Sequence, residues 1–248
     1  MERLIILGSS NAVAKKDQEN SYLLVDSGTR KILVDCGDHP AAGLARAGVT
    51  LNEITDLILT HFHADHVGSL PLLIMDMWLE KRSTPLVIYG LEYTIERAKK
   101  LLELFDWHMW SGMFAVTFRT IPESGEEIVI CDESIRVSAL SVLHLIPTIG
   151  LRFEFATGKV FSYSCDTEPC DNLLKLAKDA DVLLQESAGG LKGHTSPEQA
   201  GTIATQAGVK HLVLIHYEAR HGEDFLLSNA QKTFTGKVNL AFDGMVIK

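Results

Sequence analysis

The residues best suited to chemistry lie in one short run, His61-Phe62-His63-Ala64-Asp65-His66, directly after the apolar stretch 57–59 and Thr60. Four groups able to bind a metal fall within six residues. On an extended backbone alternate side chains share a side, so His61 and His63 point together, and a turn there brings Asp65 and His66 to a second point nearby. Imidazole with carboxylate suits zinc, and also manganese or iron. H-x-H-x-D-H directly after a strand is specific in a way that one His beside one Asp is not.

Two metals need more ligands than these four. His144 ends the apolar run 135–143, Asp166 ends 161–165, and His216 ends 212–215. Each stands at the end of a predicted strand, where loops converge on an active site. His39, His108, His211 and His221 fall outside such positions and read as surface or loop residues. Arg220, beside His221 and close after His216, would suit a phosphate oxygen as a substrate contact.

The elements that must position these groups are strands followed by helices, twice over. Apolar runs at 4–7, 22–25, 32–34 and 57–59 read as strands, with a small-residue helix over 41–47 and helical spacing over 66–80 and 91–104. In the second half 128–130, 135–143, 151–155 and 160–163 read as strands. A helix near 173–177, a strand at 182–184, a helix started by Ser196-Pro197, a strand at 212–215, a further helix and a strand near 245–247 complete the chain. Two such halves predict two sheets packed face to face with helices outside, a four-layer αββα sandwich of the α/β class forming a single domain over 1–248. The stretch 105–114 holds two of the three tryptophans and reads as a substrate lid, a dimer contact or core packing.

Composition narrows the partners. A net charge of −9, from 23 basic and 32 acidic residues, is ill suited to affinity gained by neutralising many phosphates. No stretch is apolar enough to cross a bilayer, and the opening run is too short for a secretory h-region, which predicts a cytoplasmic protein. Cys36, Cys131, Cys165 and Cys170 form no C-x-x-C pair, so a zinc ribbon or disulfide scaffold is not expected; Cys36 and Cys165 read as buried free thiols.

The order of these motifs resembles the metallo-β-lactamase superfamily along nearly the whole chain. It begins with Asp35 in Leu33-Val34-Asp35-Cys36-Gly37 and continues through H-x-H-x-D-H, His144, Asp166 and His216. The resemblance implies two divalent metal ions, Zn2+ first, with Mn2+ or Fe as alternatives. One would take His61, His63 and His144, and the other Asp65, His66 and His216. Asp166 would bridge them, and Asp35 would orient a ligand rather than bind. Asp166 stands where true β-lactamases of this fold carry Cys or another residue. The third histidine of glyoxalase II-like thioesterases sits in a Gly-His-Thr-type turn, unlike the surroundings of His144.

The closer likeness is to the ribonuclease Z-like and cyclic-phosphodiesterase branch. It rests on Leu7-Gly8-Ser9-Ser10 with Glu19-Asn20-Ser21, on Gly193-His194-Thr195-Ser196 with Glu198-Gln199-Ala200-Gly201, and on the run ending at His216. Two departures stand out. There is no Gly/Pro/Lys-rich insertion of the kind used as a tRNA-gripping arm, and Gln185-Glu186-Ser187-Ala188 replaces a His-Glu-Ala-Thr loop. With the acidic balance, they favour a small or cyclic phosphodiester over nucleic acid. The implied mechanism uses a hydroxide bridging the metals, with Asp65 orienting it or accepting its proton. His194 is the candidate general acid, the alternative being a helix-start residue without a catalytic part, and Glu186 would orient it. A thioester, lactone or sulfate-ester hydrolase, or ribonuclease Z-like RNA processing, are the competing activities. A homodimer is implied by the resemblance alone.

Overall fold

The computed structural model describes residues 2–218 and 222–248. Arg220, weighed above as a substrate contact, and His221, read there as a surface or loop residue, lie outside the described residues. The chain folds as two compact units. The first holds the residues up to Gly8, Ala12–Pro122 and Asp243–Lys248; the second holds Ser9–Asn11 and Glu123–Phe242.

The first unit is built on one seven-stranded sheet. Its strands are β1 (Arg3–Gly8), β2 (Tyr22–Asp26), β3 (Lys31–Val34), β4 (Asp56–Ile58), β5 (Leu86–Leu91), β6 (Val116–Ile121) and the C-terminal β14 (Val246–Ile247). They lie in the order β14-β1-β2-β3-β4-β5-β6. The meander from β14 to β3 is antiparallel, and β3 to β6 are parallel. The parallel strands are joined through helices α1 (Pro40–Arg46), α2 (Ala64–Val67), α3 (Leu70–Leu79) and α4 (Glu92–Glu103). β2 and β4 are buried along their whole length, as expected of strands covered on both faces.

The second unit mirrors that plan. β7 (Glu127–Cys131), β8 (Ile135–Val142), β9 (Thr148–Phe155) and β10 (Val160–Tyr163) form an antiparallel half. β10, β11 (Val182–Glu186), β12 (His211–Ile215) and β13 (Lys237–Leu240) form the parallel half. Helices α5 (Asp171–Ala177), α6 (Pro197–Gln206) and α7 (Glu223–Gln231) complete it. Ser196 caps α6 as predicted: its hydroxyl accepts from the Gln199 amide and the Gln199 side chain returns to the Ser196 amide.

Three differences from the sequence reading have physical causes. The helix expected over 66–80 is broken at Gly68-Ser69, where the Ser69 amide donates instead to the Cys36 carbonyl at 3.0 Å and Pro71 suits a fresh helix start. The helix expected over 91–104 is α4, but β5 was not anticipated, because it runs into α4 at Leu91-Glu92 with no loop between them to mark its end. β6 and β13 were not anticipated: both lie at sheet edges and are polar and partly exposed, so neither shows a clean apolar run.

Within 105–114, Trp107, Trp110 and Met113 pack against the first unit's core and Phe114 is buried, while Phe105 and Met109 are exposed. Cys36 and Cys165 are buried and in no disulfide, as expected. Among the described residues, no helix is long and apolar enough to cross a membrane.

Candidate metal centre

Most chemistry-bearing groups collect at the carboxyl ends of the parallel strands in each sheet, the usual place for ligand sites in such sheets, and His144 follows an antiparallel strand. In the first unit, Asp35 directly follows β3 and β4 leads through Leu59 and Thr60 into His61. The two loops are stitched together: the Cys36 amide donates to the His66 carbonyl at 2.7 Å. They also pass so closely that a Cβ on Gly37 would fall 1.6 Å from the Asp65 carbonyl oxygen. Only glycine fits there.

Asp35 is fully buried in the left-handed region, at φ 64°. Its carboxylate accepts from the Thr60 amide at 2.8 Å and the Thr60 hydroxyl at 2.7 Å, and Oδ2 lies 2.9 Å from His66 Nδ1. Burial pushes its pKa up, while the hydrogen bonds from His66 and Thr60 pull it down. A carboxylate on Nδ1 makes Nε2 the atom through which His66 could hold a metal, the arrangement usual behind metal-binding histidines.

The H-x-H-x-D-H donors fall into two pairs. His61 Nε2 and His63 Nδ1 are 3.1 Å apart, and His66 Nε2 and Asp65 Oδ2 are 3.5 Å apart. Metal–nitrogen bonds of about 2.0–2.1 Å set tetrahedral ligands roughly 3.3–3.4 Å from each other, so both spacings fit atoms sharing an ion. The His61 ring sits against both others, with centroids 4.8 Å from His63 and 4.1 Å from His66.

The second unit collects its groups from four strand ends. His144 follows β8, Asp166 follows β10, Glu186 ends β11 and His216 follows β12. Cys165 and His216 share the left-handed backbone of Asp35, at φ 51° and 53°. Each such residue costs about 1–3 kcal/mol, and strain of this kind gathers at functional sites. The His216 amide is held by the Ser9 carbonyl at 3.0 Å.

Asp166 Oδ2 lies 3.5 Å from His216 Nε2 and 3.9 Å from His144 Nε2, so one carboxylate oxygen stands near both histidines. His144 Nδ1 is 2.7 Å from the Gly193 carbonyl. Glu186 is buried and accepts from the Thr167, Ala188 and Thr195 amides at 3.2, 2.9 and 2.9 Å. It also faces His194 Nδ1 at 3.2 Å. Burial raises the Glu186 pKa, the His194 hydrogen bond lowers it, and the charge of Asp166 raises it again. The His194 ring stacks on His216 with centroids 5.8 Å apart.

The structure thus brings His61, His63, Asp65 and His66 together with Asp35 in one unit. In the other it gathers His144, Asp166 and His216 with Glu186 and His194. Sequence reasoning missed Thr60, Thr167 and Gly193. Thr60 directly precedes the motif and Gly193 directly precedes His194, so proximity was the available signal; a threonine after Asp166 carries none.

The family model described as "Anti-Pycsar protein Apyc1" matches residues 2–240. Ribonuclease Z of Thermobifida fusca is 30% identical, over 98% of this chain and 93% of that protein. The alignment spans 305 positions against 248 residues here, so that relative carries insertions this chain lacks. Among solved structures, the metallo-beta-lactamase fold protein YhfI of Bacillus subtilis superposes with a TM-score of 0.84 at 23% identity, over 99% of this chain and 98% of that one. The short form of human tRNase Z gives 0.81 at 25% identity, over 99% and 98%.

Proposed function

Since this chain belongs to the family described as Anti-Pycsar protein Apyc1, in the ribonuclease Z-like branch of the metallo-β-lactamase superfamily, we propose that it hydrolyses a small or cyclic phosphodiester at a two-metal centre. The fold is the α/β sandwich of that superfamily, and the chain is a metal-dependent hydrolase of phosphodiester bonds. The observation that carries the two-metal reading is the pairing of donor atoms. His61 with His63, and Asp65 with His66, form separate pairs, and Asp166 Oδ2 stands near both His144 and His216. One ion, zinc first, would then take His61, His63 and His144, and the other Asp65, His66 and His216, with Asp166 shared.

When bound, such ions polarise a phosphoryl oxygen and bring the pKa of water down towards about 7. The chain's own residues do the rest. Asp65 turns one oxygen towards His66 Nε2 and keeps the other to orient the attacking water or take its proton. Glu186 accepts a hydrogen bond from His194 Nδ1–H, which fixes the ring, and in the imidazolium form Nε2 carries the proton given to the leaving oxygen. The buried Asp35 holds the His66 ring from behind.

A small substrate is favoured by the net charge of −9 and by the missing insertions. Ribonuclease Z-like cleavage of RNA is the second reading, favoured by the names of the relatives. Hydrolysis of bis(p-nitrophenyl) phosphate, with thioester and lactone panels inert, is the expected result; the reverse pattern sinks the proposal. A gel shift of a tRNA precursor at low salt would move the assignment to the second reading.

A further inference from the structure

We infer that Glu168, which the mechanism above does not use, is a positioning residue for His144, acting through the peptide backbone of Gly193. This inference rests on the reading of His144 as a metal ligand. The His144 side chain is buried, and its Nδ1 lies 2.7 Å from the Gly193 carbonyl. A carbonyl only accepts, so Nδ1 carries the ring proton and Nε2 keeps the lone pair that a metal needs. The tautomer of His144 is therefore set by where the Gly193 carbonyl sits.

That carbonyl is placed by an unusual backbone. Gly193 has φ 86°, and a Cβ there would lie 3.0 Å from His144 Nδ1 and 2.9 Å from Leu145 Cγ. The loop approaching it contains Gly189 and Gly190, and Leu191 stands 70% exposed. Glycine-rich backbone loses much conformational freedom when fixed, so such a loop needs an anchor.

Glu168 supplies one at both ends of the contact. Its carboxylate accepts the Gly193 amide at 2.7 Å, a charge-assisted hydrogen bond. Its own amide donates to the carbonyl of Leu143, the residue before His144, at 2.7 Å. The neighbouring Thr167 hydroxyl accepts from the Leu143 amide at 3.1 Å. Glu168 thus ties the chain that delivers His144 to the glycine that orients its ring.

The test combines two measurements on wild type, Glu168→Asp, Glu168→Gln and a His144→Ala reference. The first is the imidazole nitrogen spectrum of the metal-free protein, which reports the His144 tautomer. The second is zinc affinity by competition with a chromophoric chelator. Wild type should show one Nδ1–H tautomer. Glu168→Asp, one methylene short of Gly193, should mix the tautomers and weaken zinc binding about tenfold, the low end of the loss seen when a partner behind a ligand is removed. Glu168→Gln keeps an acceptor and should stay close to wild type in both. Wild-type affinity and tautomer in Glu168→Asp, beside a His144→Ala protein that loses zinc, would overturn the role of Glu168 and leave His144 a ligand. Unchanged zinc affinity in His144→Ala would instead overturn the ligand reading. An Nε2–H tautomer in wild type would end the inference without any variant.

Discussion

The two units reach comparable chemistry by opposite routes. The first unit places His61, His63, Asp65 and His66 on one short connection that runs from β4 into α2, steered by a single carboxylate from the neighbouring β3 loop. The second draws His144, Asp166, Glu186 and His216 from the ends of four different strands, and His144, Glu186 and His216 are each held by main-chain groups of another loop. A local cluster is carried by its own covalent spacing. A dispersed one exists only when a whole sheet has formed, so its geometry depends on second-unit folding as well as on side-chain identity.

That contrast orders the expected effects of substitution. Asp166→Ala should be the most damaging, because the carboxylate oxygen near both His144 and His216 disappears; kcat should fall by about 10³-fold or more, and metal content per chain should drop. A variant that keeps full metal and turnover would show that the dispersed set is not part of the centre. His194→Ala should lower kcat by about 10²–10⁴-fold while leaving metal content intact, as expected of the proposed general acid. Loss of metal in that variant would instead make His194 a ligand, a role its proximity to His216 and Glu186 allows.

Asp35→Asn tests the local cluster. Weakening the support behind His66 should cost roughly 10–100-fold in metal affinity, measured by chelator competition, with little change in thermal stability of the second unit. Thr60→Val should be the mildest. It removes one hydroxyl hydrogen bond to Asp35, worth about 0.5–1.5 kcal/mol in chemical denaturation, and should leave kcat within a few-fold of wild type. An effect of Thr60→Val as large as that of Asp35→Asn would mean that the His66–Asp35 contact is not what steers the loop.

The same contrast explains how much could be read beforehand. His61 to His66 were legible because ligand spacing is written in consecutive residues. Asp166, His144 and His216 were legible only as strand ends, and their grouping required the family resemblance. What escaped was mostly backbone. The left-handed conformations of Asp35, Cys165 and His216 leave no mark in residue type, since none is glycine. Gly37 and Gly193 did carry the sign of glycine, but nothing in the sequence says that one admits the Asp65 carbonyl and the other the His144 ring. Among the strands, β5 was masked by the helix that follows it, and β6 and β13 by their polar edge positions.

Elemental analysis of the purified chain, paired with hydrolysis of bis(p-nitrophenyl) phosphate before and after chelation, addresses the central claim most directly. About two divalent ions per chain are expected, with turnover abolished by the chelator and restored when metal is returned. Turnover that survives complete metal removal, or a chain that binds no metal under any condition, would contradict a phosphodiesterase built on these two clusters.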